Sequence, residues 1–137
     1  MLKEKAIENF KSGYSCSESV VKAAVDEGLV PLELLSCATS FSGGMGSGCL
    51  CGAIAGAQIV IGYIHGKGKT EYARALAKEF IEKFKENHKA TCCKVLTHGF
   101  DFHSKERKAH CVNMVSASAE ILTNLLDKAK ETAKESV

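Results

Sequence analysis

Tryptophan is absent from this chain, and its only proline is Pro31. With so little proline, long helices meet few interruptions. Long hydrophobic runs are missing too. The longest apolar stretch, Leu50 to Ile64, falls short of the roughly 20 residues that span a bilayer and reads as a core helix. Charge of one sign is also scarce: a net charge of +2 and a pI near 8.1 imply neither nucleic acid nor a membrane surface as partner. The N-terminal MLKEKAIENF mixes charge with apolar residues and reads as the start of a helix, not as a secretory leader. A reducing, cytoplasmic setting is therefore expected, in which thiols stay free or hold metal.

Several motifs are excluded by spacing. No C-x-x-C pair occurs, which removes zinc-ribbon and ferredoxin patterns, and no C-x-x-C-H offers a haem attachment. Gly68-Lys69-Thr70 looks like the end of a P-loop, but the earlier glycine would fall on Tyr63 and the segment before it is helical. Gly44, Gly46 and Gly48 lack the dinucleotide spacing, because the last position is Cys49. With no carboxylate pair and no Ser/His/Asp arrangement in context, no substrate pocket is legible, and an oxidoreductase or electron carrier is the only enzyme class in view.

Against these absences stand seven cysteines: Cys16, Cys37, Cys49, Cys51, Cys92, Cys93 and Cys111. The hydrophobic periodicity around them is helical throughout. Residues 2–12 carry Leu2, Ala6, Ile7 and Phe10 on one face and stop at Gly13. Ser15 and Glu18 form a capping-box pattern that opens a helix at Cys16, running to about Glu27 with Val20, Val21 and Ala24 inward. Pro31 suits the start of a short helix through Leu34, Leu35 and Cys37. After the glycine loop 42–48 comes the apolar helix, about 50–64, in which Gly52, Ala53, Gly56 and Ala57 allow close neighbours. Thr70 is the expected cap of a helix over about 71–88, and Thr91 that of a turn holding Cys92 and Cys93. Ser104 starts a last helix with Cys111, Val112, Val115, Ala119, Leu122 and Leu126 on one face and a charged, exposed end over Asp127–Glu135. The expected fold is an all-α bundle, one domain over 1–137, around a central Gly/Ala-rich helix.

Cys51 is the leading thiolate candidate, because unpaired N–H groups at a helix N-terminus favour negative charge and lower a thiol pKa. Cys16, directly after its cap, and Cys93, behind Thr91, repeat the placement. Each is equally readable alone as a small buried hydrophobe. Adjacent cysteines bridge only in a strained ring, so at most one of Cys92 and Cys93 is expected in a site. His98, His103 and His110 read as solvated or packed histidines before they read as ligands.

The segments GYSCSESVV (13–21), GGMGSGCLCGAIAGAQIVIG (43–62), CKVL (93–96) and the late Cys111 resemble the C-GCAxxG-C-C family of redox-active proteins. The likeness spans nearly the whole chain in order. It implies a four-cysteine site at Cys16, Cys51, Cys93 and Cys111, with the CGAxxG motif on Cys51-Gly52-Ala53-Ile54-Ala55-Gly56. Cys37, Cys49 and Cys92 fall outside that set, with Cys49 near enough to replace or resolve Cys51. The family is similar to the cluster-bearing helical part of split-Soret cytochromes, which implies an iron–sulfur cluster, [2Fe–2S] being one form, with zinc or no metal as alternatives. The expected activity is electron transfer with a redox partner protein. The rival is thiol–disulfide exchange or redox sensing in which Cys51 attacks and Cys16, Cys49 or Cys93 resolves. A homodimer is the default assembly for such a chain.

Overall fold

The computed structural model describes residues 1–101 and 104–135, with side chains placed as far as residue 131. Seven α-helices follow one another among the described residues: α1 (Leu2–Lys11), α2 (Cys16–Asp26), α3 (Glu33–Thr39), α4 (Gly52–His65), α5 (Thr70–His88), α6 (Cys93–Leu96) and α7 (Lys105–Glu135). The fold is all-α, as the periodicity indicates. The only β pairing among the described residues is one isolated antiparallel bridge between Leu50 and Cys92.

Local sequence explains the starts of α2 and α7. Ser15 caps α2: its hydroxyl accepts from the Glu18 N–H, and the Glu18 carboxylate accepts from the Ser15 N–H at 2.9 Å. The Ser104 hydroxyl accepts from the Arg107 N–H at 3.0 Å and starts α7. Two expected caps are absent. Thr70 is already helical, and Thr91 uses its carbonyl, not its side chain, to receive the Cys51 N–H at 2.8 Å. Leu50 also lies outside the central helix, since the bridge to Cys92 holds it extended.

Helix α4 is the centre of the packing. It contacts α2, α3, α5 and α7, and residues Gly52–Ala57 together with Val60 and Ile61 are buried. A helix so enclosed needs small residues where its neighbours come closest. A methyl group at Gly52 would stand 2.5 Å from the Cys16 sulfur, and one at Gly56 2.6 Å from the Ser17 carbonyl oxygen. Both glycines of the CGAxxG motif are thus the surface on which the first turn of α2 rests. Gly62, by contrast, faces open space. Around this contact Val20, Val21, Phe80, Phe84, Val115 and Leu122 fill the core. The Ser17 hydroxyl donates to the Ala38 carbonyl at 2.8 Å and the Asn9 amide to the Ser19 carbonyl at 3.2 Å, so buried polar atoms in α2 tie it to α3 and α1. At the far end of α7, Asp127, Lys128, Lys130 and Glu131 are exposed, but Ala129 is buried against the core. The remainder of the charged end lies beyond the described side chains.

Candidate functional site: a four-cysteine chamber

Each of four elements delivers one thiol to the same place. Cys16 is the first residue of α2, Cys51 the N-cap of α4, Cys93 the first residue of α6, and Cys111 lies in the second turn of α7. All four line one cavity of about 170 Å³, whose wall also includes the apolar side chains of Phe10, Leu96 and Met114.

Two devices fix the geometry. The first is the bridge. The Cys51 N–H bonds the Thr91 carbonyl and the Cys93 N–H bonds the Cys49 carbonyl, so residues 49–51 and 91–93 are locked in antiparallel register across Leu50 and Cys92. The second is the glycine loop before it. Gly43, Gly44, Met45 and Gly46 all have φ between +62° and +69°, a left-handed turn that L-residues other than glycine rarely enter. The turn packs against Cys93, since a side chain at Gly44 would meet the Cys93 Cβ at 2.9 Å. It also turns the Gly43 N–H toward the Cys16 sulfur.

Electrostatically, burial dominates the chamber, and Arg107 is the one charged side chain in its lining among the described residues. Burial is the main reason that the Cys51 thiol is pushed up to about 12; the neighbouring Cys16 and Cys93 add to the rise, and N–H groups of Ile54 and Ala53 offset part of it. Burial likewise raises Cys16 against the N–H groups of Gly43 and Ser17, and raises Cys111 against the Arg107 charge. The expectation of a lowered Cys51 pKa is therefore corrected. The helix-terminal N–H groups are present, but loss of water outweighs them.

Arg107 is the site residue that sequence reasoning missed. Its guanidinium donates to the Cys93 sulfur at 3.7 Å and lines the chamber. The signal was available: it stands one helical turn before Cys111. The other cysteines stand apart. Cys37 and Cys49 are exposed, and the Cys92 thiol donates to the Gly48 carbonyl at 3.2 Å, away from the chamber. Of the histidines, His98 is exposed, His110 stacks on Phe100 with ring centroids 5.2 Å apart, and His103 lies outside the described residues.

Among the described residues, no three His, Cys, Asp or Glu side chains form a group that could hold a single metal ion. Zinc requires sulfurs about 2.3 Å from one centre. The four thiols line one cavity of about 170 Å³ and, as thiolates, are a ligand set that zinc and iron–sulfur clusters both take. The donor set, all sulfur and backed by N–H groups, has the chemistry of an iron–sulfur site.

A family model described as "Putative redox-active protein (C_GCAxxG_C_C)" matches residues 14–125. No curated protein matches the chain, and no solved structure does.

Proposed function

The chain belongs to the C_GCAxxG_C_C family of redox-active proteins, and from that premise we propose that Cys16, Cys51, Cys93 and Cys111 bind an iron–sulfur cluster for electron transfer. The observation that carries this reading is the convergence of four thiols, from elements spread across the chain, on one small apolar chamber. A bound cluster supplies one-electron oxidation and reduction.

The protein's own residues have identifiable tasks. The four thiols would ligate as thiolates, a state that bound iron would stabilise even where burial alone disfavours it. N–H groups of Gly43, Ser17, Ala53 and Ile54 point at Cys16 and Cys51 and reduce the charge on sulfur. Phe10, Leu96 and Met114 give the chamber an apolar wall against which a bound group would be partly desolvated. Electrons would pass to a redox partner protein in a reducing compartment, the cytoplasm, where cysteines outside the site stay as thiols.

Thiol–disulfide exchange is less well supported. An attacking cysteine needs an accessible thiolate near neutral pH, and Cys51 is buried with its pKa at about 12. The test is iron and acid-labile sulfide analysis with a visible spectrum, on protein purified without oxygen. Stoichiometric iron and sulfide with charge-transfer absorbance are expected. Colourless, iron-free protein that forms one defined disulfide on mild oxidation would replace the cluster with the dithiol.

A further inference from the structure

A second cavity, of about 540 Å³, opens beside the cysteine chamber and shares Gly43, Cys93, Thr97 and Arg107 with it. Its size is that of a small-molecule site, for which about 300–1,000 Å³ is usual. The wall has a definite polarity. Lys94 and Arg107 both line it, and no Asp or Glu does among the described residues. The Lys94 stem lies across Gly48, where an added methyl group would collide with it, so the glycine lets the lysine lie down along the cavity edge.

Hydroxyl groups in the wall do not compete for the donor role. Thr97 donates to the Cys93 carbonyl at 2.7 Å, Ser47 to the Met45 carbonyl at 3.3 Å and Ser42 to the Thr39 carbonyl at 2.7 Å. Their protons are turned into the protein, so the charged groups of the wall are the exposed Lys94 ammonium and the Arg107 guanidinium, which also donates to the Cys93 sulfur. Phe100, 39% exposed and with one face stacked on His110, also lines the cavity. An aromatic wall with two cations selects a flat molecule with one anionic end.

We propose that this vestibule binds a small molecule with a single phosphate or carboxylate group on a flat, unsaturated body, and holds it against Cys93. The site would then be the place where a soluble redox substrate meets the sulfur centre. That last clause rests on the four-cysteine reading; the binding does not.

Isothermal titration with phenyl phosphate, inorganic phosphate and phenol tests it at constant ionic strength. Phenyl phosphate should bind saturably at one site per chain and at least tenfold more tightly than inorganic phosphate, with phenol silent. Lys94→Ala should weaken phenyl phosphate about tenfold, since the exposed lysine leaves the fold intact. Phe100→Ala should reduce phenyl phosphate to the level of inorganic phosphate while leaving the latter unchanged. Lys130→Ala, on the far end of α7, should change nothing. Equal weakening by Lys94→Ala and Lys130→Ala, or no saturable binding, would overturn the proposal. So would heat with an acidic polypeptide but none with phenyl phosphate, which would make this a protein-docking face. Iron and sulfide are measured on the same samples. Binding by protein that lacks both removes the cluster and leaves the vestibule, whereas a loaded protein that binds no probe does the opposite.

Discussion

Among the residues, Cys51 shows how two local effects compete. Its place at a helix N-terminus is real, and N–H groups of Ala53 and Ile54 do reach it, yet burial wins and raises its pKa to about 12. A thiol in that state binds metal well only when the metal drives out the proton, and it attacks electrophiles poorly. Metal-free protein should therefore react with iodoacetamide at pH 8 first at exposed Cys37 and Cys49 and last at Cys51. Raising the pH from 8 toward 12 should accelerate Cys51 steeply, because burial leaves nearly all of its ionisation ahead of it. Peptide mass spectrometry over a time course reads both. Equal rates at Cys51 and Cys37 at pH 8 would mean that the chamber is open and would restore Cys51 as a nucleophile.

Helix by helix, the glycines of α4 separate packing from propensity. A glycine inside a helix costs roughly 1 kcal/mol relative to alanine. At Gly62, which faces open space, nothing offsets that cost, so Gly62→Ala should raise stability by up to about 1 kcal/mol. Gly52→Ala and Gly56→Ala gain the same propensity but force a methyl group into the Cys16 sulfur or the Ser17 backbone, and overpacking costs roughly 1–3 kcal/mol. Urea denaturation of the three variants should show opposite signs for Gly62→Ala and the other two. A stabilising Gly56→Ala would mean that α2 and α4 are less tightly seated than they are drawn here. The same helix marks how far sequence could be read. The small-residue spacing announced a close approach, and the Ser15–Glu18 capping box fixed where α2 begins, because both depend on neighbours in sequence. The Leu50–Cys92 bridge left no such trace: it joins segments distant in the chain through backbone groups, and neither segment is long enough to alternate. Thr91 misled for the same reason, its side chain suggesting a cap while its carbonyl was committed to Cys51.

Across the whole molecule, the cysteine chamber is where the chain's most distant parts meet. Cys16 lies near one end of the sequence and Cys111 in the last helix, with the bridge holding Cys51 and Cys93 between them. That the four belong together followed from the family resemblance and from three apparent helix starts. The cavity they enclose depends on how α1, α4 and α7 pack and was not legible, whereas Arg107 could have been reached from its place one helical turn before Cys111. A group bound to all four sulfurs acts as a cross-link closing long loops, and binding to the folded state alone adds stability by mass action. Anaerobically purified protein should therefore lose its colour and shift its urea midpoint downward when the cluster is stripped with a chelator and oxidant. Cys16→Ser should lower both the iron content and the size of that shift, since one of four anchors is gone. Cys37→Ser, at an exposed thiol away from the chamber, should leave both at wild-type values. Equal midpoints for loaded and stripped protein would show that the four sulfurs do not share one ligand, because a bond network joining α2, α4, α6 and α7 cannot form without opposing their separation.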